Sequence, residues 1–254
     1  MINISFANRK GGVGKTTLTR ELGIYLSNSG RRVLLIDLDA QGNLTKSLPV
    51  KNADNSAVYD AIEGIEVRPV KVFDAMELFL LTSDLRLSNL EKTLVGEFDG
   101  CVRLKEALER EEFTGYEYIL IDSPPSLGML SVNALAASGY FVIPMNPAQY
   151  TLQGTNDLMA TVKKIRKNFN PSLELLGVIV NSFERVPVIT REIRQEIEES
   201  FGGMVFKEVL SRSVKVEEAI SAKLGLVQLG ECRVRSELER IGEEFILRAE
   251  RGRP

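Results

Sequence analysis

The sequence predicts an α/β protein with a doubly wound, mainly parallel sheet and helices on both faces. Apolar runs alternate with helical patterns along the 254 residues. Most of these runs are continuous rather than alternating, as expected for strands that are covered on both faces. A glycine-rich turn joins the first apolar run to the first helical pattern. In folds of this class, ligands bind at the carboxyl ends of the parallel strands.

The predicted elements alternate over the whole chain. The strands cover residues 2–7, 33–37, 78–82, 118–122, 140–145, 175–181 and 204–210. The helices cover residues 15–29, 101–112, 154–168, 188–201 and 235–250. Residues 44–76 are the least regular part and are a candidate for an irregular insertion of short helices. Because no repeat, low-complexity tract or linker interrupts the pattern, residues 1–254 are predicted to form one domain.

The composition is that of a globular protein from a reducing compartment. Apolar residues make up 44% of the chain and charged residues 26%, which allows both a full core and a charged surface. Cys101 and Cys232 are far apart, and neither a signal peptide nor a transmembrane run is visible, so we expect a cytoplasmic protein. The absence of histidine excludes histidine metal sites and histidine-dependent catalysis.

Residues 8–17 form the most informative segment, a glycine-rich loop between the first strand and the first helix. Its glycines let several backbone N–H groups point at one centre, where the helix N-terminus adds partial positive charge. Lys15 would reach the β- and γ-phosphates, and the hydroxyl of Thr16 would bind Mg²⁺. The loop therefore predicts a nucleoside triphosphate site made by Gly11, Gly12, Val13, Gly14, Lys15, Thr16 and Thr17.

The loop also departs from the usual phosphate-binding pattern. Arg9 stands where the first glycine is expected, and Lys10 adds a second lysine. An isolated loop lysine is usually just solvated. Here Lys10 precedes Gly-Gly-Val-Gly-Lys-Thr-Thr, and the whole run resembles the deviant Walker A box of the ParA/MinD family. That resemblance implies that Lys10 reaches across a dimer to the partner's nucleotide.

Two predicted strands end in carboxylates. Asp37 and Asp39 follow one apolar run, and Asp122 follows another. If the first strand persists, Asp37 and Asp39 point the same way, one towards the metal region and the other towards the attacking water; an aspartate-rich turn is the alternative. Asp122 ends four apolar residues as a Walker B strand does, which places it near Mg²⁺ through water.

Over nearly its full length the chain resembles a ParA-type, Soj-like partition ATPase. The resemblance rests on residues 10–17, 37–43 and 122–135, with weaker support from residues 149–154, 177–181 and 211–215. It implies that two ATP-bound subunits close face to face. Lys15 would then hold its own ATP and Lys10 the partner's, while Asp39 orients the hydrolytic water. Asn181 would contact adenine, and the segment around Arg212 would wrap the base and help to form a DNA-binding face.

With a net charge of −3, DNA binding needs a local basic patch. The resemblance points to Arg212 and Lys215, and Arg185 is a further candidate. Since no helix-turn-helix segment precedes residue 1, we expect nonspecific double-stranded DNA binding and a nucleoid-associated protein. A ParB-like partner would then supply specificity and stimulate hydrolysis. Other basic residues lie at 163–167, 191 and 194, where an ordinary solvated helix face explains them equally well.

This chain departs from the family pattern on the predicted base side of the site. Ser211 stands where a proline commonly precedes the arginine equivalent to Arg212. Residues 222–226, Ala-Lys-Leu-Gly-Leu, replace a proline-containing stretch. We therefore expect either a different arrangement of the adenine pocket and the DNA-binding face or a different regulation.

Three other functions fit a phosphate loop. A MinD-like membrane-surface ATPase needs a basic amphipathic C-terminal helix, but residues 237–247 carry four acids against one base, so we expect that helix to pack on the core and no membrane binding. An iron–sulfur reductase needs interface cysteines, which Cys101 and Cys232 do not match. A metabolic ligase or kinase acting on a small molecule stays open.

Overall fold

One eight-stranded sheet organises the part of the chain that the computed structural model describes, residues 1–51, 53–147, 152–183 and 189–251. The strand order is β3-β4-β2-β5-β1-β6-β7-β8. Every pairing is parallel except the antiparallel pairing of β3 with β4. The strands are β1 (Ile2–Phe6), β2 (Val33–Asp37), β3 (Val70–Lys71), β4 (Leu78–Leu81), β5 (Tyr118–Asp122), β6 (Tyr140–Met145), β7 (Glu174–Phe183) and β8 (Leu210–Ser211).

Helices cover both faces of the sheet, which confirms the predicted fold class. They are α1 (Lys15–Asn28), α2 (Asn43–Ser47), α3 (Val58–Ile62), α4 (Leu87–Leu94), α5 (Arg103–Leu108), α6 (Met129–Ala136), α7 (Leu152–Asn168), α8 (Ile189–Phe201), α9 (Val214–Ser221) and α10 (Arg233–Glu250). The apolar residues of α1 and α10 pack against one face of the sheet. Those of α3–α6 and of α7–α8 pack against the other.

Strand β2 shows how the sequence builds a sheet that is buried on both sides. Val33 and Leu35 belong to the core under α1 and α10, whereas Leu34 and Ile36 belong to the core under α3–α6. Successive side chains of a strand point to opposite faces, so both faces require apolar residues and the run becomes continuous.

The register of the central strands brings the acidic strand ends together. Phe6 of β1 and Asp37 of β2 both pair with Asp122 of β5. Since the loop after residue 6 leads into α1, the carboxylates of Asp37 and Asp122 lie at the same sheet edge as that loop. The phosphate loop and both acidic ends are therefore neighbours.

Some predicted elements are wrong. Residues 204–210 do not form a strand: Gly202–Met204 is a 3₁₀ helix, and β8 has only two residues. Phe206 and Leu210 are buried in the core. The segment is therefore apolar because it packs over the sheet, without being one of its strands. The helix predicted at 101–112 ends at Leu108, and a separate 3₁₀ helix spans Glu111–Phe113. Four short elements, β3, α4, α6 and α9, were not predicted.

The region 44–76 contains α3, β3 and most of α2, and its being an insertion stays a prediction. The C-terminal helix α10 packs on the core, with Leu238, Ile241 and Phe245 fully buried. No helix among the described residues combines the length and the apolar character needed to cross a membrane.

Candidate functional site

The glycine-rich loop connects β1 to α1 and is held in a conformation that needs glycine. Gly12 and Gly14 have φ angles of 73° and 89°, in the left-handed region that other residues avoid. The amide nitrogen of Asn181 lies 1.5 Å from the position that a Cβ on Gly14 would occupy. This amide also donates a hydrogen bond of 3.1 Å to the carbonyl of Val13. Asn181 therefore packs on the loop from β7.

Lys15 is buried inside the loop, and its ammonium group stabilises the loop through hydrogen bonds. Its Nζ donates hydrogen bonds to the carbonyls of Asn8 and Lys10, at 3.0 and 3.1 Å. Burial lowers the pKa of Lys15, while the nearby carboxylates of Asp122 and Asp39 raise it in part. A buried ammonium with backbone carbonyls as its main partners is well suited to an incoming phosphate, which offers stronger charge-assisted hydrogen bonds.

Lys10 lies on the same loop but is half-exposed. Its backbone N–H donates to the side-chain oxygen of Asn8 at 3.1 Å, and Asn8 in turn donates to the carbonyl of Pro144 at 2.7 Å. Arg9 forms an ion pair with Asp157 of α7. The two lysines of the loop therefore sit in different environments, one inside the site and one at its surface.

Thr16 and Asp122 form the part of the site that fits a divalent cation. The Thr16 hydroxyl donates to Oδ2 of Asp122 at 2.7 Å. Among the described residues, the buried Oδ1 of Asp122 finds no hydrogen-bond donor. Burial, followed by the charge of Asp37, raises the pKa of Asp122 well above its usual value. A buried carboxylate beside a hydroxyl is a donor set that suits Mg²⁺, whose remaining ligands are commonly water and phosphate oxygens.

Asp37 has partners that the sequence did not predict. Its Oδ2 accepts hydrogen bonds from the backbone N–H and the hydroxyl of Thr45, at 2.8 and 2.7 Å. Its Oδ1 accepts from the backbone N–H of Asp39 at 3.2 Å. Burial raises the pKa of Asp37 to about 6. In this arrangement Asp37 fixes the turn that carries Asp39, and its predicted contact with the metal stays a prediction.

A cavity of about 640 Å³ extends from the loop. Lys15, Thr16 and Asp39 line it, together with Gly11, Gly12, Gly14 and Thr17 of the loop and its helix. Arg212, Val216, Ile220 and Asn181 also line it. If Lys15 and Thr16 hold phosphates, the apolar side chains of Val216 and Ile220 suit a base. Of the described residues predicted to bind nucleotide, all line this cavity except Lys10 and Val13, and Val13 is buried.

The structure describes only some of the residues that are predicted to contact DNA. Arg212 is exposed and lines the cavity. Lys215 is exposed in α9 and pairs with Glu218 at 2.6 Å. Arg185 lies outside the described residues, as do residues 149–151, and the side chains of residues 191 and 194 are not described.

Sequence reasoning missed Arg20. This residue lines the cavity from α1 yet has no exposed surface. Its guanidinium donates to the carbonyl of Leu224 at 2.7 Å and to that of Ser47 at 3.3 Å. No local signal could have revealed these contacts, because Leu224 is 204 residues away in the sequence.

A parallel sheet with a glycine-rich phosphate loop after β1 and acidic ends on β2 and β5 defines a P-loop nucleotide-binding ATPase. A family model described as an AAA domain matches residues 1–175. The chain is 39% identical over 219 residues to the chromosome-partitioning ATPase Soj of Thermus thermophilus. This match covers 86% of this chain and 84% of that protein. It is 38% identical over 221 residues to the sporulation initiation inhibitor protein Soj of Bacillus subtilis, covering 86% and 87%. The chain belongs to the ParA/Soj family of ATPases.

Solved structures share the whole architecture. The cobyrinic acid a,c-diamide synthase of Mycobacterium smegmatis, solved with a bound ATP analog and magnesium, matches with a TM-score of 0.84 at 25% identity. The match covers 100% of this chain and 97% of that one. This neighbour binds an ATP analog and magnesium on the same fold.

Proposed function

We propose that this protein is an ATP-dependent switch that positions or segregates DNA. Two subunits dimerise with ATP, and the dimer binds double-stranded DNA without sequence preference. Hydrolysis, stimulated by a ParB-like partner, then releases the DNA. The observation that carries the proposal is the placement of two lysines on one phosphate loop, Lys15 buried in the site and Lys10 half-exposed at its surface. The chromosome-partitioning function in the name of the Thermus thermophilus relative supports the same conclusion.

The site is suited to hydrolysing ATP to ADP and phosphate. Lys15 binds the terminal phosphates, and Thr16 and Asp122 hold Mg²⁺. When bound, Mg²⁺ supplies positive charge that offsets the charge developing on the phosphate oxygens. Asp39 orients the attacking water from the turn after β2. Because phosphoryl transfer needs little covalent chemistry from the protein, positioning and electrostatics provide most of the catalysis.

Dimerisation makes this hydrolysis conditional. Lys10 is not needed inside its own site, where Lys15 already supplies a buried cation. A half-exposed Lys10 can instead complete the site of a second subunit. A monomer then hydrolyses ATP slowly, and the dimer is competent. Turnover therefore limits the lifetime of every property that depends on the dimer, including its affinity for DNA.

DNA binding depends on Arg212 and Lys215, with Arg185 as a further contact. Each phosphate contact releases counterions, so duplicating a small patch in a dimer strengthens binding steeply and makes it sensitive to salt. The Lys215–Glu218 ion pair is exposed and therefore weak, so DNA phosphate can compete for Lys215. A modest patch of this kind gives little affinity in the monomer.

The test is binding to a random-sequence DNA duplex, followed by fluorescence anisotropy, with ATP, with ADP and without nucleotide. We expect binding only with ATP. Lys10→Ala should abolish it, and Asp39→Ala should prolong it because hydrolysis is slowed. Light scattering at micromolar concentration should show a dimer only with ATP. Lys92→Ala, which removes an exposed lysine of α4, is the matched control and should behave as wild type.

Equal DNA binding in all three nucleotide states would contradict the switch. A monomer in the presence of ATP would contradict the shared site. A phosphorylated or adenylated small-molecule product would instead favour a metabolic enzyme.

A further inference from the structure

Residues 210–226 form a continuous wall on one side of the cavity, which we call the α9 flap. The flap consists of β8, the helix α9 and the turn that follows α9. Its inner side chains Arg212, Val216 and Ile220 line the cavity. Its two ends are held by charged residues that are fully or almost fully buried and that the proposed ATPase chemistry does not use: Arg20 and Glu21 on α1, and Glu237 on α10.

One anchor holds the C-terminal end of the flap. The carbonyl of Leu224 accepts a hydrogen bond of 2.7 Å from Nη2 of Arg20. The backbone N–H of Leu226 donates to Oε2 of Glu21 at 2.8 Å. Arg20 and Glu21 are also paired with each other. The pair therefore binds the turn through one backbone acceptor and one backbone donor.

The turn itself is well defined. After α9, the N–H of Leu224 bonds to the carbonyl of Ala219 and that of Lys223 to the carbonyl of Ile220. Lys223 adopts a left-handed φ of 56°. These are the two hydrogen bonds of a Schellman motif, which ends the helix and directs the following residues. The motif presents Leu224 and Leu226 to the buried pair on α1.

A second anchor holds the N-terminal end of the flap. The backbone N–H of Ser211 donates to Oε2 of Glu237 at 2.8 Å, and its hydroxyl donates to Oε1 at 2.9 Å. Arg233 also donates to Oε1 of Glu237 at 2.7 Å. A proline at position 211 has no N–H and could not form this contact. The serine that departs from the family pattern is thus matched by a glutamate on α10.

We propose that Arg20, Glu21 and Glu237 are positioning residues that hold the α9 flap over the base of the bound nucleotide. Burying charges is costly, and an ion pair can often be replaced by apolar residues without loss of stability. Stability alone therefore does not account for three buried charges that converge on one surface segment. Their directional hydrogen bonds to the backbone of Ser211, Leu224 and Leu226 fix the flap at both ends. This inference rests on ATP being the nucleotide of the cavity.

The test distinguishes the contribution of the base to nucleotide affinity from that of the phosphates. Binding of ATP and of inorganic tripolyphosphate, each with Mg²⁺, is measured by calorimetry for wild type and for the double variant Arg20→Met/Glu21→Leu. The double variant replaces the two buried charged side chains with apolar side chains of similar size. We expect the Kd of ATP to rise about tenfold, equivalent to about 1.4 kcal/mol, while the Kd of tripolyphosphate stays within about twofold. Arg31→Met removes ion pairs to Glu117 and Glu250 away from the cavity and should change neither value.

Glu237→Gln provides an independent variant if the double variant does not fold. Its amide keeps the shape of the carboxylate but cannot accept from both groups of Ser211, so ATP binding should again weaken while tripolyphosphate binding does not. Equal changes in the two Kd values, or no change in either, would overturn the positioning role. Failure of wild type to bind ATP at all is a different result, which contradicts the proposed function itself.

Discussion

The hydroxyl of Ser83 donates a hydrogen bond to the backbone carbonyl of Asp39. The N–H of Ser83 donates to the hydroxyl of Thr45 at 3.0 Å, and this hydroxyl donates to Asp37 at 2.7 Å. Asp37 then accepts from the N–H of Asp39 at 3.2 Å, which closes a ring of hydrogen bonds. The ring fixes the backbone on both sides of Asp39, the proposed water-orienting residue.

We expect Ser83→Ala to slow hydrolysis without weakening ATP binding. A small displacement of a positioning group can cost orders of magnitude in rate, and the loss of one hydrogen bond from the ring should lower kcat about tenfold while the Kd of ATP stays within about twofold. Single-turnover hydrolysis and equilibrium binding measure the two quantities. Thr45→Val should act in the same way, and Thr45→Ser should retain activity because it keeps the hydroxyl.

Ser138→Ala is the control for that experiment, since the buried hydroxyl of Ser138 bonds to the carbonyl of Ala134 away from the site. An unchanged kcat in both Ser83→Ala and Thr45→Val would show that the ring does not position Asp39.

Gly14→Ala should abolish nucleotide binding, because the new Cβ would overlap the side chain of Asn181. Gly30→Ala is a matched control: Gly30 has a similar φ of 84°, but nothing lies within 4 Å of its Cβ position. Both substitutions carry a backbone cost of about 1 kcal/mol. Gly14 lines the cavity and its Cβ would overlap Asn181, whereas Gly30 does not line the cavity, so calorimetry should show ATP binding in Gly30→Ala alone. Gly14→Ala/Asn181→Ala should recover part of the affinity. Equal binding by the two single variants would refute the close packing.

Asp122→Asn should stabilise the protein without Mg²⁺ and nucleotide, and more so at higher pH. Burial raises the pKa of Asp122, as it raises that of Asp37 to about 6. A carboxyl whose pKa is raised by folding contributes stability below its unfolded pKa, about 4, and this contribution is lost as the pH rises through the folded pKa. Calorimetric melting in EDTA should therefore show a higher Tm for the variant at pH 7.5, by about 2–4 °C per kcal/mol relieved, and a smaller difference at pH 4.5.

Asp74→Asn, at an exposed aspartate, should leave the Tm unchanged at both pH values. A lower Tm of Asp122→Asn at pH 7.5 would mean that the ionised carboxylate stabilises the empty site.

The protein should not sediment with anionic liposomes in the presence of ATP. The apolar residues Leu238, Ile241 and Phe245 of α10 are buried in the core and are not available to lipid. The stretch 237–247 is acidic, so an anionic surface repels it. Co-sedimentation with phosphatidylserine vesicles measures this directly, with neutral vesicles as the control. Pelleting that depends on ATP and anionic lipid would favour the MinD-like alternative.

The strands and the long helices could be predicted because their burial leaves a periodic record in the sequence. β2 is continuous and apolar since it meets a core on each face. The short elements β3, α4, α6 and α9 could not be predicted, because segments of two to eight residues carry too little periodicity. The apolar pattern of residues 204–210 wrongly predicts a strand, because a segment that packs over a sheet has the same apolar composition as a strand within it.

The sequence by itself determined the phosphate loop and its chemistry, because that information lies within ten contiguous residues and in the strand and helix that flank them. Only the tertiary structure decided how Asp39 and the α9 flap are held. Ser83 meets Thr45 across 38 residues, and Leu226 meets Glu21 across 205. Such contacts exist only after the strand order has brought distant segments to one edge of the sheet, and hydrogen bonds formed at that stage leave no local pattern in the chain.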